Sequence, residues 1–194
     1  MTTDTSHTAS LITRFDELQN SFLATPYLSI KERIAVLKKL RARVVDLEEE
    51  LVAAASKDFG YRTAFDTLLG DILPTVQGIA HIIKKLPKWS KPSNRSVGLS
   101  LWPSKVSVTY QPKGVVGVIA PWNYPIQLAI VPVITAIAAG NRVMLKLSEF
   151  TPHTNIVLEK LFNDEMQEHC KVIQGGSDVA AEFSSLPFAH LLFT

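Results

Sequence analysis

One stretch of the chain, residues 114–152, constrains the fold more than any other. It reads GVVGVIAPWNYPIQLAIVPVITAIAAGNRVMLKLSEFTP. The β-branched run from Val115 to Ile119 predicts a strand that is buried on both faces. An apolar helix over residues 126–139, which Gly140 ends, leads to a second buried strand at 143–145. A strand–helix–strand unit of this length predicts two parallel strands joined by a right-handed crossover.

The same alternation continues to the last residue of the sequence. Thr151 is predicted to cap a helix, which is followed by a strand at 171–173. Ser177 or Asp178 is predicted to cap a short helix that precedes a fourth strand at 190–194. The predicted fold class is therefore α/β, with N-terminal helices, a β-hairpin excursion and a truncated, partial Rossmann-like parallel sheet of order βαβαβαβ.

The part of the chain before residue 93 is predicted to be helical from residue 10, after a loose polar tail at 1–9. Apolar side chains recur at helical spacing over residues 10–24. Ser29 and Glu32 form a capping-box pair at the start of one long helix that runs to about residue 56. A third helical pattern follows at 63–85, and its internal proline at position 74 should kink or split it.

Residues 93–113 differ in composition from both neighbouring regions. Two stretches of rough apolar–polar alternation flank Pro103-Ser104 within residues 96–111, and this pattern predicts a β-hairpin. Such an excursion offers a strand edge with which another subunit can pair. We therefore predict that residues 93–113 form an oligomerisation arm.

Composition limits the possible partners. The formal net charge of +2 provides no general field for nucleic acid, and the single cysteine, which excludes an internal disulfide, fits a reducing, cytoplasmic location. The apolar stretch 115–140 is interrupted by Asn123, Gln127 and prolines, so we predict a buried βα unit and not a membrane span. The five histidines show no metal-ligand spacing, and no metal site is predicted.

The carboxyl ends of the parallel strands mark the predicted ligand edge. The residues there are Pro121-Trp122-Asn123, Lys146 to Glu149, Gly175-Gly176 and Thr194. No G-x-G-x-x-G follows the first strand, so a glycine cradle for pyrophosphate is not expected in that loop. Glu149, however, lies where such folds hold a ribose hydroxyl.

Each of these residues also has a purely structural interpretation. Asn123 is a candidate N-cap, Lys146 a solvated strand end and Glu149 a favourable charge near a helix N-terminus. Trp122 is a candidate for core packing, and the two glycines at 175–176 for a simple turn.

The combination of motifs closely resembles the aldehyde dehydrogenase superfamily. The motifs are Pro-Trp-Asn-Tyr-Pro after the GVVGVI strand, and then Ala-Gly-Asn-x-Val-x-Leu-Lys-x-Ser-Glu-x-Thr-Pro. The resemblance runs from about residue 10 to residue 194 and is closest to the class 3 branch and to coniferyl aldehyde dehydrogenases. Leu147 stands where most of the family has proline.

The resemblance implies a role for each residue of the ligand edge. Asn123 would be the oxyanion asparagine, whose amide N–H donates to the aldehyde oxygen as a thiolate attacks. Lys146 and Glu149 would hold the adenosine ribose, and the carboxylate favours NAD over NADP. Ile119 and Trp122 would line the cofactor cleft. The remaining cofactor contacts would be Gly176 near the adenine and Thr194 in the Phe-Thr that precedes the phosphate-binding helix.

The resemblance therefore implies that residues 114–194 are a partial NAD-binding α/β domain. The parent enzyme would be a cytoplasmic homodimer that oxidises an aromatic, coniferyl-like aldehyde to its acid through a cysteine thiohemiacetal. The family's nucleophilic cysteine and glutamate base are not among these 194 residues, and Cys170 precedes its strand at the opposite end of the sheet. We therefore predict that the chain alone is inactive.

Two alternatives remain from the sequence. One is a truncated, non-catalytic module that binds nucleotide or another subunit, which the hairpin and the last strand motivate. The other is an unrelated dinucleotide enzyme, which the missing glycine fingerprint disfavours.

Overall fold

The computed structural model describes residues 4–162 and 166–194, with side chains from residue 11 onward. From Asp4 to Trp89 the chain is mostly helical. The helices are α1 (Asp4–Ala24), α2 (Ile30–Asp46), α3 (Glu48–Phe59), α4 (Ala64–Thr67) and α5 (Leu73–Trp89), with a π-helical turn at Leu68–Ile72 between the last two.

Two predictions for this helical part need correction. The first helix begins at Asp4, so residues 4–9 are not a loose tail, and residues 1–3 of the predicted tail lie outside the described residues. The predicted long helix is two helices, because the chain leaves helical geometry at Leu47. The helical pattern at 63–85 is divided into α4 and α5 by the π-helical turn at Leu68–Ile72, which ends just before Pro74, so the predicted split near this proline is present. The capping box of Ser29 and Glu32 is present.

The predicted hairpin is an antiparallel pair with a longer connection than expected. Strand β1 (Ser93–Arg95) pairs with β2 (Val106–Val108). The first strand lies within the predicted arm at 93–113, but before the alternating stretch at 96–111. The predicted first strand is replaced by a 3₁₀ turn at Leu99–Leu101 and a cis peptide bond between Trp102 and Pro103.

The parallel sheet confirms the α/β prediction. Its strands are β3 (Val115–Ile119), β4 (Arg142–Lys146), β5 (Cys170–Ile173) and β6 (His190–Phe193), in the order β5-β4-β3-β6. The connecting helices are α6 (Gln127–Ala138), α7 (Pro152–Phe162) and α8 (Ser177–Ser185). The apolar runs of β3 and β4 are buried because helices cover both faces of the sheet.

Side chains on the two faces of β3 belong to different parts of the core. Val116 and Val118 pack with α2, α3, α5, α6 and α7 in a large cluster. Val115 packs on the other face against α1 and α8, through Phe15 and Phe183. Gly117 faces that same side and is in close contact with β6, since a Cβ built on it lies 2.7 Å from Leu191 and Phe188.

Local side chains do not cap α6, α7 and α8 as predicted. The amide of Gln127 in α6 donates to Asp71 (2.8 Å). Thr151 precedes α7, but the amides of His153 and Thr154 donate to the carboxylate of Asp58 (2.9 and 2.7 Å). The residue before α8 is Gly176, which makes no side-chain cap.

Candidate active site

The carboxyl ends of the four parallel strands meet at one edge of the sheet. Ile119 of β3 pairs with Lys146 of β4, and the amide of Thr194 donates to the carbonyl of Ile119 (3.2 Å). The amide of Leu147 donates to the carbonyl of Ile173 (3.0 Å). Strand order reverses between β3 and β6, and this switch point is where open α/β sheets bind ligands.

Asn123 lies in the loop between β3 and α6, with its side chain exposed. Its Oδ1 accepts a hydrogen bond from the amide of Tyr124 (3.1 Å). Within the described part of the chain, no group accepts a hydrogen bond from its Nδ2, so this donor is available to a ligand. The N-cap interpretation of Asn123 is wrong, because Asp71 supplies the acceptor for α6.

Trp122, the preceding residue, lies on the protein surface at the same edge of the sheet. Its side chain is 52% exposed, so core packing does not explain it. The indole lies against Phe59, with ring centroids 6.4 Å apart. Ile119 is partly buried and packs against the smaller core cluster, on the same face as α1. The structure thus brings Ile119, Trp122 and Asn123 to the end of a single strand.

Lys146 is buried at the end of β4, with 2% of its surface exposed. The interpretation as a solvated strand end is therefore wrong. Its Nζ donates to the carbonyl of Leu147 (2.6 Å) and lies 3.9 Å from the carboxylate of Glu149, which is 39% exposed. Burial lowers the pKa of Lys146, and the charges of Glu149 and Asp178 oppose this shift.

The glycines after β5 make the turn into α8. Gly175 has φ of 146°, and a Cβ on it would lie 2.5 Å from Val179, so only glycine fits there. Gly176 is extended and precedes the first residue of the helix, and a Cβ on it would lie 3.1 Å from Oδ1 of Asp178. Thr194 is exposed after β6, at the same edge of the sheet.

Cys170 lies far from this edge. It begins β5 at the opposite end of the sheet and is fully buried. Burial raises the pKa of the thiol, so the group is protonated at neutral pH. Both observations fit the prediction that Cys170 is not the nucleophile.

The sequence analysis did not identify two residues of this site, Arg62 and Asp71. The Nη2 of Arg62 lies 2.8 Å from Oδ2 of Asp71, and its Nη1 donates to the carbonyl of Asn123 (3.1 Å). They are 61 and 56 residues from their partners Asn123 and Gln127. No local pattern joins residues so far apart in the chain, so sequence periodicity carried no signal for them.

Neither a membrane segment nor a metal cluster is found in the described residues. No helix there combines the length and the apolar character that crossing a bilayer requires. Likewise, within residues 4–162 and 166–194, no three histidine, cysteine or carboxylate side chains are grouped as metal ligands.

Comparison with known proteins identifies the family. The model of the Aldehyde dehydrogenase family matches residues 8–194. This chain belongs to the aldehyde dehydrogenase family. The resemblance found in its motifs is therefore confirmed.

The most similar relatives among those found include coniferyl aldehyde dehydrogenases. A probable coniferyl aldehyde dehydrogenase of Pseudomonas aeruginosa is 45% identical over 181 residues, which are 93% of this chain and 38% of that protein. Coniferyl aldehyde dehydrogenase of a Pseudomonas species is 36% identical over 181 residues, covering 92% and 37%. The aldehyde dehydrogenase chain thus spans less than two fifths of the length of these relatives.

A solved structure of the family has the same fold. The substrate-bound state of Staphylococcus aureus AldH is 31% identical and superimposes with a TM-score of 0.88, over 92% of this chain and 39% of that one. The partial Rossmann-like architecture of this aldehyde dehydrogenase chain is therefore the one found in a solved member of its family.

Proposed function

We propose that the polypeptide carrying this chain oxidises an aldehyde to its carboxylic acid with NAD, and that Asn123 is its oxyanion donor. The observation that carries this proposal is the position of Asn123, at the end of β3 beside the switch point, with an unbonded amide donor. Family membership supports the reaction class. The relatives named coniferyl aldehyde dehydrogenase support an aromatic, coniferyl-like substrate.

The amide of Asn123 suits a developing negative charge. When a thiolate adds to the carbonyl carbon, the aldehyde oxygen becomes an oxyanion, and a neutral N–H that already points at it stabilises that charge without reorganisation. Removing one such donor typically lowers the rate by about 10²–10³. The thiolate itself would come from outside these 194 residues, because Cys170 is buried at the wrong edge.

The residues at the sheet edge fit a nicotinamide dinucleotide. The exposed carboxylate of Glu149 is an acceptor for ribose hydroxyls, and the ammonium group of Lys146, 3.9 Å away, is a donor for the same sugar. Gly176 has no side chain to obstruct a base, and Trp122 and Ile119 provide apolar walls. NAD would supply the hydride acceptor, while this chain would bind and orient it.

Glu149 is proposed to favour NAD over NADP, because its carboxylate would repel a 2′-phosphate. Replacing Glu149 with Gln in the complete polypeptide should raise kcat/KM for NADP relative to NAD by about tenfold, which corresponds to about 1.4 kcal/mol. Glu49→Gln, an exposed change on α3, is the matched control and should leave the ratio unchanged. An unchanged ratio in Glu149→Gln would contradict the assignment.

The main test is aldehyde-dependent NADH formation by the complete polypeptide with coniferyl aldehyde. Activity is expected, and Asn123→Ala should lower kcat by about 10²–10³. Asn20→Ala, an exposed change on α1, should leave kcat unchanged. A complete polypeptide without activity, or an Asn123→Ala variant as active as the unmodified enzyme, would refute the proposal.

The 194-residue chain alone is proposed to lack this activity, and two other roles remain for it. One is weak nucleotide binding, and the other is pairing with another subunit through the arm, where Leu99, Trp102 and Tyr110 are exposed. In the complete enzyme the arm is proposed to support a homodimer. Calorimetry with NAD tests the first role, and size-exclusion chromatography of the chain tests the second. A titration that shows no heat of binding, together with a monodisperse monomer on the column, would exclude both.

A further inference from the structure

A buried ion pair lies directly behind the loop that carries Asn123. Arg62 and Asp71 are 8% and 0% exposed, and their closest atoms, Nη2 and Oδ2, are 2.8 Å apart. Asp71 lies in the π-helical turn between α4 and α5. Such turns are rare and occur frequently at functional sites.

Both members of the pair hold the backbone around Asn123. The Nη1 of Arg62 donates to the carbonyl of Asn123 (3.1 Å). On the other side, Oδ1 of Asp71 accepts from the amide of Gln127 (2.8 Å). The pair therefore fixes the chain at two points, one at Asn123 itself and one four residues later at the start of α6.

Aromatic contacts hold the side chains of the same loop. The guanidinium of Arg62 lies 4.8 Å from the ring of Phe59 and 5.3 Å from the ring of Tyr124. Gly70 allows the approach of Tyr124, since a Cβ on it would lie 3.0 Å from that ring. Phe59, Arg62 and Asp71 together form what we call the loop clamp.

An ion pair in this position is expensive to keep for stability alone. Removing two charges from water is unfavourable, and a well-packed apolar pair of similar volume is often at least as stable. Burial raises the pKa of Asp71, although the amides of Gln127 and Ile126 and the charge of Arg62 oppose this. The pair does, however, supply directed hydrogen bonds that an apolar pair cannot make, and these point at the Asn123 loop.

We propose that Arg62 and Asp71 are positioning residues that hold the amide of Asn123 where the oxyanion of the substrate forms. The inference rests on the proposed function. Neither residue reaches the substrate, and each acts through the backbone of residues 123–127. An error of about 1 Å in such a donor can cost on the order of 10²-fold in rate.

The test uses Arg62→Lys in the complete polypeptide. Lysine keeps the charge beside Asp71, but it replaces the planar fork, whose two nitrogens contact Asp71 and the carbonyl of Asn123, with a single ammonium nitrogen. We expect kcat with coniferyl aldehyde to fall by about 10- to 100-fold, with KM for NAD unchanged within about twofold. Arg41→Lys, an exposed change on α2, is the matched control and should leave kcat unchanged.

A double-mutant cycle separates positioning from a general structural role. If the loop clamp acts through Asn123, Arg62→Lys should have little further effect on kcat in an Asn123→Ala background. An equal loss of kcat in both backgrounds would overturn the inference, as would an unchanged kcat in the single variant. If the unmodified complete polypeptide had no aldehyde dehydrogenase activity, that result would instead refute the proposed function.

Tyr124→Leu provides a second variant if Arg62→Lys does not fold. Tyr124 is 43% exposed, so folding should tolerate the change, while the aromatic face beside the guanidinium is lost. We expect a decrease in kcat of about tenfold that again disappears in the Asn123→Ala background. A Tyr124→Leu enzyme with full kcat would count against the loop clamp.

Discussion

Gly117 shows how closely β3 and β6 approach each other on the side of the sheet that α1 covers. Ala at this position would place its Cβ 2.7 Å from Leu191 and Phe188. We predict that Gly117→Ala lowers the free energy of unfolding by about 1–3 kcal/mol, because overpacking forces neighbouring side chains to move. Thermal unfolding of the protein should show this as a lower midpoint temperature.

Gly98→Ala is the matched control for that substitution. The atom nearest to the added methyl group would be Ser100 Oγ at 3.8 Å, an ordinary contact. The free energy of unfolding of this variant should therefore stay within about 0.5 kcal/mol of that of the unmodified protein. Equal midpoint temperatures for the Gly117→Ala and Gly98→Ala variants would contradict the prediction, and would mean that β3 and β6 can move apart at little energetic cost.

The helix α7 is capped by Asp58, which lies on the distant helix α3. Its buried carboxylate accepts from the amides of His153 and Thr154 and from the hydroxyl of Thr154, the last at 2.6 Å. We predict that Asp58→Ala lowers the free energy of unfolding at pH 7 by about 0.5–2 kcal/mol, as expected for loss of a cap. Asp46→Ala, an exposed change at the end of α2, should have a much smaller effect.

The contribution of Asp58 should depend on pH. Burial raises its pKa, but hydrogen bonds from Thr154 and His153 outweigh burial, so the pKa lies below its usual value. A lowered pKa means stabilisation that is complete above the unfolded value of about 3.9 and is lost as pH falls through the folded value. The stability difference between Asp58→Ala and the unmodified protein should therefore narrow in acid, and a constant difference would contradict this.

The sequence predicted the strands better than the helix starts. The short apolar runs of β3 to β6 are separated by helical patterns and by turn residues, so the type of these elements and their order along the chain follow from local pattern. The caps of α6 and α7 come from Asp71 and Asp58, which are distant in the chain, and local reasoning chose Asn123 and Thr151 instead. The sequence pattern did not predict the break between α2 and α3 at Leu47, because the helical spacing of apolar residues continues across it.

The site was predictable to a similar extent. Motif and strand-end position brought Asn123, Lys146 and Glu149 to the same edge, because parallel strands share that edge. The burial of Lys146 was not predictable, since it depends on β4 lying between two neighbouring strands, where Lys146 pairs with Ile119 and with Ile173. The loop clamp required tertiary contacts that no spacing rule contains.

In the described part of the chain, the helical region and the sheet share a large core. Leu37, Leu40 and Ile79 belong to the same buried cluster as Ile134 and Leu158. We predict that residues 1–92 expressed alone show no cooperative unfolding, because their apolar faces would be exposed to water. Circular dichroism during heating measures this, with residues 1–194 as the control that should unfold cooperatively.

A sharp transition in the 1–92 piece would show that the helical region is stable without the sheet. A gradual loss of helix is the expected result, since isolated helices of this length are marginal in water. In that case the arm at 93–113 is an insertion into one folding unit, and not a linker between two.

The strand order has a consequence for synthesis on the ribosome. β3 emerges first and gains β4 on one side soon afterwards, but its other neighbour, β6, is translated about 70 residues later. At about 5–20 residues per second, that side of β3 waits for about 4 to 14 s. Throughout this interval the nascent chain offers an unfilled groove beside β3, which a chaperone has time to occupy before β6 arrives.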